Sequence, residues 1–174
     1  MAEAGDRFEM PDGSVYVIRT PTAATGGDYV EMEFILPPGT FAPPPHIHPK
    51  QVEEYQVVEG SFDVMVDGEW STLAPGESAS VPVGADHTFR NPTDDTVRVL
   101  NWHRPAVNFE AFVERTHNAL ARAGVKSGRD PRVPLYISTF FMAYPETLVP
   151  SRRRDRIPMK AMAGIGRLLR VDRD

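Results

Sequence analysis

The stretch Gly39–Gly60, GTFAPPPHIHPKQVEEYQVVEG, decides how this chain is read. At its centre stands His46-Ile47-His48, with Glu53 five residues further on. In an extended segment residues i and i+2 project to one face, so both imidazoles would enter the same space. Pro43-Pro44-Pro45 stiffens the approach to this pair. Glu53–Val58 has strand character and runs into Glu59-Gly60, a turn signal. Glu53, Tyr55 and Val57 share one alternation phase and would face one interior.

Working outward, the first two-thirds of the chain read as short strands. Ser14–Arg19 follows the turn signal Pro11-Asp12-Gly13. In Val30–Leu36 the residues Val30, Met32, Phe34 and Leu36 take one face and Glu31 and Glu33 the other, with Ile35 the exception. Met32 and Phe34 read as core. Ser61–Val66 and Glu69–Leu73 flank Asp67-Gly68, a hairpin signal because a type I′ turn needs positive φ at both central positions. Ala79–Pro82, His87–Asn91 and Thr96–His103 complete about eight strands with Gly, Pro and Asp turns between them. Such spacing, without intervening helices, predicts an all-β barrel or sandwich.

After Pro105 the pattern changes. Phe109, Phe112, Val113, Thr116 and Leu120 repeat with helical period over Phe109–Ala123, and Gly124 suits the cap. Leu135–Tyr144 is a second candidate helix stopped by Pro145. Pro158–Arg170 is a third, with Pro158 at its first turn and Met159, Met162, Ile165, Leu168 and Leu169 on one side. The expected organisation is a barrel over residues 1–107 and a helical extension over 108–174.

Composition narrows the chemistry. The 174 residues are enough for one domain with a real core. The absence of cysteine excludes disulfides, thiolate ligands, iron–sulfur clusters and a cysteine nucleophile. No run approaches the roughly 18 unbroken apolar residues of a membrane span. Glu3, Asp6, Arg7 and Glu9 stand where a signal peptide would be basic and then apolar, so a cytoplasmic protein is expected. Residues 151–174 carry eight Lys/Arg against three Asp, a net of +5, leaving −10 for the rest of a chain whose total is −5. An acidic body argues against nucleic acid as a partner.

His87 follows Pro82-Val83-Gly84-Ala85-Asp86, so three of the five histidines lie beside turn signals suited to a barrel mouth. His46, His48, Glu53 and His87 together form a borderline-hard donor set for one divalent transition metal, with positions left for water or substrate. An HxH pair also occurs often on surface loops. The alternative is that no metal binds and the histidines hold an anion or serve the core.

Gly39–Gly60 resembles the first motif of the cupin superfamily. Gly76–Asn91, GESASVPVGADHTFRN, resembles the second, with fifteen residues between Gly60 and Gly76 as in compact bacterial single-barrel cupins. The spacer from Gly39 to His46 is one residue longer than that pattern. The likeness covers roughly residues 10–107. It implies a double-stranded β-helix, or jelly-roll, with His46, His48, Glu53 and His87 as ligands to one Fe, Mn, Ni or Zn ion. It also implies a homodimer. Cupins include dioxygenases, isomerases, decarboxylases, polyketide cyclases, sugar-binding regulators and storage proteins. The intact ligand set favours a mononuclear metal enzyme, dioxygenase-like, acting on a small organic molecule inside the barrel. An O₂-independent isomerase or cyclase and a non-catalytic small-molecule-binding cupin are the alternatives.

Several other residues are candidates. Tyr55 could hydrogen-bond a ligand or pack in the core. Phe89 and Asn91 share the phase of His87. Asn101 and His103 share one face of the last strand, with His103 a candidate acid/base alongside Glu53. His117 reads as solvated. The basic tail is expected to pack on its own barrel or a dimer mate; binding an anionic membrane or nucleic acid are lesser readings.

Overall fold

The computed structural model describes residues 2–40 and 43–172. Phe41 and Ala42, in the spacer of the first motif, lie outside the described residues. Eleven strands form two antiparallel sheets among the described residues. They are β1 (Arg7–Glu9), β2 (Val15–Thr20), β3 (Val30–Leu36), β4 (His46–Ile47), β5 (Val52–Glu59), β6 (Phe62–Val66), β7 (Glu69–Leu73), β8 (Ser78–Val81), β9 (His87–Arg90), β10 (Val97–Arg104) and β11 (Val149–Pro150). One sheet runs β1-β2-β3-β10-β5-β8 and the other β11-β4-β9-β6-β7. This is the all-β architecture that the strand spacing predicts, in the jelly-roll form that the cupin resemblance implies.

Period-two patterning sets the two faces. Along β10, Val97, Val99, Asn101 and His103 are buried and the residues between them are not. Along β5, Glu53, Tyr55 and Val57 are buried in the same way. The core between the sheets is built from Ile18, Met32, Phe34, Phe62, Val64 and Phe89 with their neighbours. The Asp67-Gly68 turn has φ of 49° and 91°, as a type I′ hairpin requires.

Glu33 departs from the expected pattern. Alternation puts it on the outer face, yet its side chain is buried. The guanidinium of Arg98 donates to Oε1 at 2.6 Å through Nε, and Arg19 pairs with Oε2. Two long basic side chains thus cover a carboxylate that the strand pattern alone would leave wet. Two short strands, β1 and β11, also escaped the sequence reading, each too short to show a period.

Three helices follow β10: α1 (Phe109–Arg122), α2 (Val133–Ala143) and α3 (Arg153–Leu168). α3 begins five residues before Pro158, which therefore lies inside the helix rather than at its start. That earlier start accompanies a different buried face. Met159, Ala163 and Gly166 are buried, while Ile165, Leu168 and Leu169 are 52–82% exposed and not on the packed side. α2 and α3 share a small core of Phe141, Leu148 and Met159. β11 then pairs Pro150 with His46 and Val149 with Ile47, so the extension joins the second sheet beside the HxH segment. Among the described residues no helix is long and apolar enough to cross a membrane.

Gly60 closes the β5–β6 turn at φ +82°, and a Cβ there would meet Val97 Cγ2 at 2.9 Å and Val97 Cα at 3.2 Å. Gly76 has φ +89° but open space around it. Gly60→Ala is therefore expected to lose more stability in urea unfolding than Gly76→Ala, which bears only backbone strain of about 1 kcal/mol or more. Glu33 provides a pH test. Burial opposes its ionisation, and hydrogen bonds from Arg98 and Arg19 outweigh this, holding the carboxyl below its ordinary value. Its contribution is present above the unfolded pKa of about 4.3 and is lost as pH falls through the lower folded value. Glu33→Gln should remove that part of the acid limb in a pH series of thermal melts.

Candidate metal centre

The two sheets bring the site together through strand register. His46 on β4 lies opposite His87 on β9. Glu53 on β5 lies opposite His103 on β10, and Tyr55 opposite Asn101. Because residues two apart share a face, Glu53 and Tyr55 meet Asn101 and His103 inside the barrel. His48 follows β4. His46, His48, Glu53 and His87 are all buried, and one ligand atom from each lies within 4.8 Å of all the others.

The hydrogen bonds orient the imidazoles. Nδ1 of His46 faces the Pro44 carbonyl at 2.9 Å, that of His48 the Thr147 carbonyl at 2.5 Å, and that of His87 the Ala85 carbonyl at 3.0 Å. A carbonyl oxygen only accepts, so each Nδ1 carries the proton and each Nε2 presents a lone pair. Glu53 Oε2 stands 3.3 Å from His48 Nε2 and 2.9 Å from His87 Nε2. Those three atoms are buried without a hydrogen-bond partner. Acceptors facing one another at such distances need a shared proton or cation between them, since an unsatisfied buried polar atom costs about 1–3 kcal/mol. One divalent ion would satisfy all of them, so the residues fit the group. Three neutral imidazoles and a carboxylate suit a first-row metal.

The charge balance follows from the same burial. His46 is held well below its ordinary pKa by burial and then by the neighbouring imidazoles of His87 and His48. Burial works against ionisation of Glu53, but His103, His48 and His87 together hold its carboxyl well below the usual range. For His87 burial is outweighed by the adjacent Glu53 carboxylate, which favours a proton on the ring, and its pKa rises. Burial brings His103 down to about 4. Burial and the Glu53 charge push the Tyr55 hydroxyl well up, so it stays protonated.

Asn101 Nδ2 donates to Glu53 Oε1 at 2.8 Å, fixing one carboxylate oxygen while the other faces the imidazoles. His103 Nε2 is 3.2 Å from the same Oε1, and its ring stacks on Phe109 at 3.4 Å between centroids. Phe89 lines the adjoining cavity. Phe34, read as core, does so as well. Asn91 does not join the site; it donates to the carbonyls of Leu36 and Asp95. His117 is half-buried on α1 rather than free in solvent, with Nδ1 2.8 Å from the Glu9 carbonyl.

Sequence reasoning missed the Thr147 carbonyl, which carries no side-chain signature. It also missed that Tyr16 and all three helices line a cavity of about 450 Å³ reaching His46 and Glu53.

Residues 32–103 match the sequence profile of the cupin domain. Part of the chain is 36% identical over 55 residues to the polyketide synthase CurC of Streptomyces cyaneus, covering 32% of this chain and 36% of that protein. Another part is 43% identical over 46 residues to the HTH-type transcriptional regulator SutR of Escherichia coli, covering 26% of each. The matches thus span about a third or less of these relatives. An RmlC-like cupin from Shewanella frigidimarina superposes with a TM-score of 0.51 at 22% identity, over 59% of this chain and 85% of that one. Motifs, two-sheet architecture and profile agree: this chain carries a small domain of the cupin superfamily.

Asn101→Leu should weaken metal binding by about 10–100-fold with the fold retained. Competition against a chromophoric chelator, alongside circular dichroism, would measure it; unchanged affinity would remove Asn101 as the residue that holds Glu53.

Proposed function

We propose that this chain is a mononuclear divalent-metal enzyme acting on a small organic molecule held beside the cluster, and that its reaction is dioxygenase-like. The observation that carries this reading is the set of lone pairs on His48, His87 and Glu53, buried without partners, in a cluster whose His46 and Glu53 line a cavity. His46, His48, Glu53 and His87 would hold the ion, of the Fe, Mn, Ni or Zn class. Such an ion, when bound, supplies Lewis acidity toward a substrate oxygen and, for iron, a site for O₂.

The remaining steps belong to the protein. Glu53 lines the cavity, and its carboxylate can accept a proton from an enol or phenol hydroxyl. Asn101 Nδ2 keeps Oε1 in place as that proton arrives. His103 is neutral near pH 7, and its Nε2, 3.2 Å from Oε1 and without a hydrogen-bond partner, is close enough to pass a proton to or from the carboxylate. Tyr55, protonated and buried with its hydroxyl unpartnered, is a further donor beside Glu53. Phe109 covers His103 and keeps water from that side.

The Glu53–His103 pair specifically favours a second reading, an O₂-independent isomerase or cyclase, since proton transfer alone suffices there. The partial likeness to a protein named for polyketide synthesis supports the same reading. A cytoplasmic homodimer is part of the proposal.

Protein reconstituted anaerobically with Fe(II), Mn(II) or Ni(II) should be screened with dicarbonyl, flavonol and catechol substrates under an oxygen electrode. Oxygen uptake with substrate loss supports the dioxygenase, and substrate loss without uptake the isomerase or cyclase. Neither, in fully loaded protein, leaves a binding protein. His103→Phe should retain the metal and lower turnover by about 10²–10⁴-fold.

A further inference from the structure

The cavity beside the cluster has a chemical character of its own. Its outer wall comes from the helical extension: Phe112 and Leu120 of α1, Ile137 and Phe141 of α2, and Met162 of α3. Tyr16, Phe34 and Phe89 form the barrel side, and His46 and Glu53 lie at the metal end. Phe112 and Phe141 meet edge to face at 78°, and Phe141 meets His46 at 73°. Rings set in this way expose faces and edges against which a flat apolar ring system packs.

Charge selects further. Among the described residues lining the cavity there is no Lys or Arg, and the carboxylates are Asp12 and Glu53. Asp12 is engaged within its own turn, accepting from Ser14 Oγ at 2.6 Å and Ser14 N at 3.1 Å. An anionic group away from the metal end would lose its hydration and find no cation in return. The volume of about 450 Å³ lies within the roughly 300–1,000 Å³ of sites for drug-sized ligands.

We propose that this cavity takes an uncharged, hydrophobic, ring-bearing molecule that turns one hydroxyl or carbonyl oxygen toward Glu53, and that α1–α3 set this selectivity together with the barrel wall. The inference rests on the cavity being the substrate site of the enzyme proposed above. Sugar acids and sugar phosphates, whose charge lies along a polar body, fall outside the class.

Calorimetric titration with 9-phenanthrol and with phenanthrene-9-sulfonate tests it. The phenol is expected to bind at least about tenfold more tightly than the sulfonate. Equal affinities, the reverse order, or no binding of either would overturn the proposal. Ile137→Lys and Met162→Lys, on different helices, should each shift the ratio toward the sulfonate by at least about tenfold. Folded Lys variants with an unchanged ratio would overturn the assignment of selectivity to the helices. His87→Ala, measured in parallel, should keep the preference for the phenol. Selectivity that persists in a metal-loaded protein without turnover leaves this proposal standing and removes the enzymatic one.

Discussion

A single buried carboxylate organises the interior of this barrel. Glu53 lies in a space where an isolated charge is strongly disfavoured. It remains ionised because imidazoles and the Asn101 amide converge on it. That convergence depends on register. Were β10 to slip by one residue against β5, Asn101 and His103 would turn outward and Leu100 and Trp102 would face the carboxylate. The pairing that builds the sheet and the pairing that builds the site are therefore the same event.

The helical extension is tied to that centre at two points. Thr147 holds the His48 tautomer through its carbonyl, and β11 lies against the strand bearing His46. The same segment carries the apolar wall of the cavity. A change in how α2 and α3 sit would alter the shape of the cavity and the aim of an imidazole together. This gives the extension a chemical role that an added helical tail need not have. The exposed Ile165, Leu168 and Leu169 lie away from this contact and have no part in it.

Much of this was legible in the chain because the relevant signals are local. HxH at strand spacing, Glu53 at the start of the next strand, Asp67-Gly68 at a hairpin and the phase of Asn101 with His103 all follow from period-two geometry. The failures have physical causes too. Pro158 looked like a helix start because proline suits the first turn, yet α3 begins at Arg153 and tolerates it inside. Glu33 looked solvated because alternation does not report two arginines folding over a carboxylate from neighbouring strands.

The sequence by itself determined the longer strands, the two cupin motifs and the four candidate ligands those motifs carry, since alternation, turn signals and motif spacing are each local. Tertiary structure decided what stands around them: Asn101 and His103 on Glu53, the Thr147 carbonyl on His48, and three helices walling an apolar cavity. Those contacts join residues about 50 to 100 positions apart, and a carbonyl or a packed helix face leaves no motif. Pairing and packing across that separation depend on the whole fold, so no local pattern encodes them.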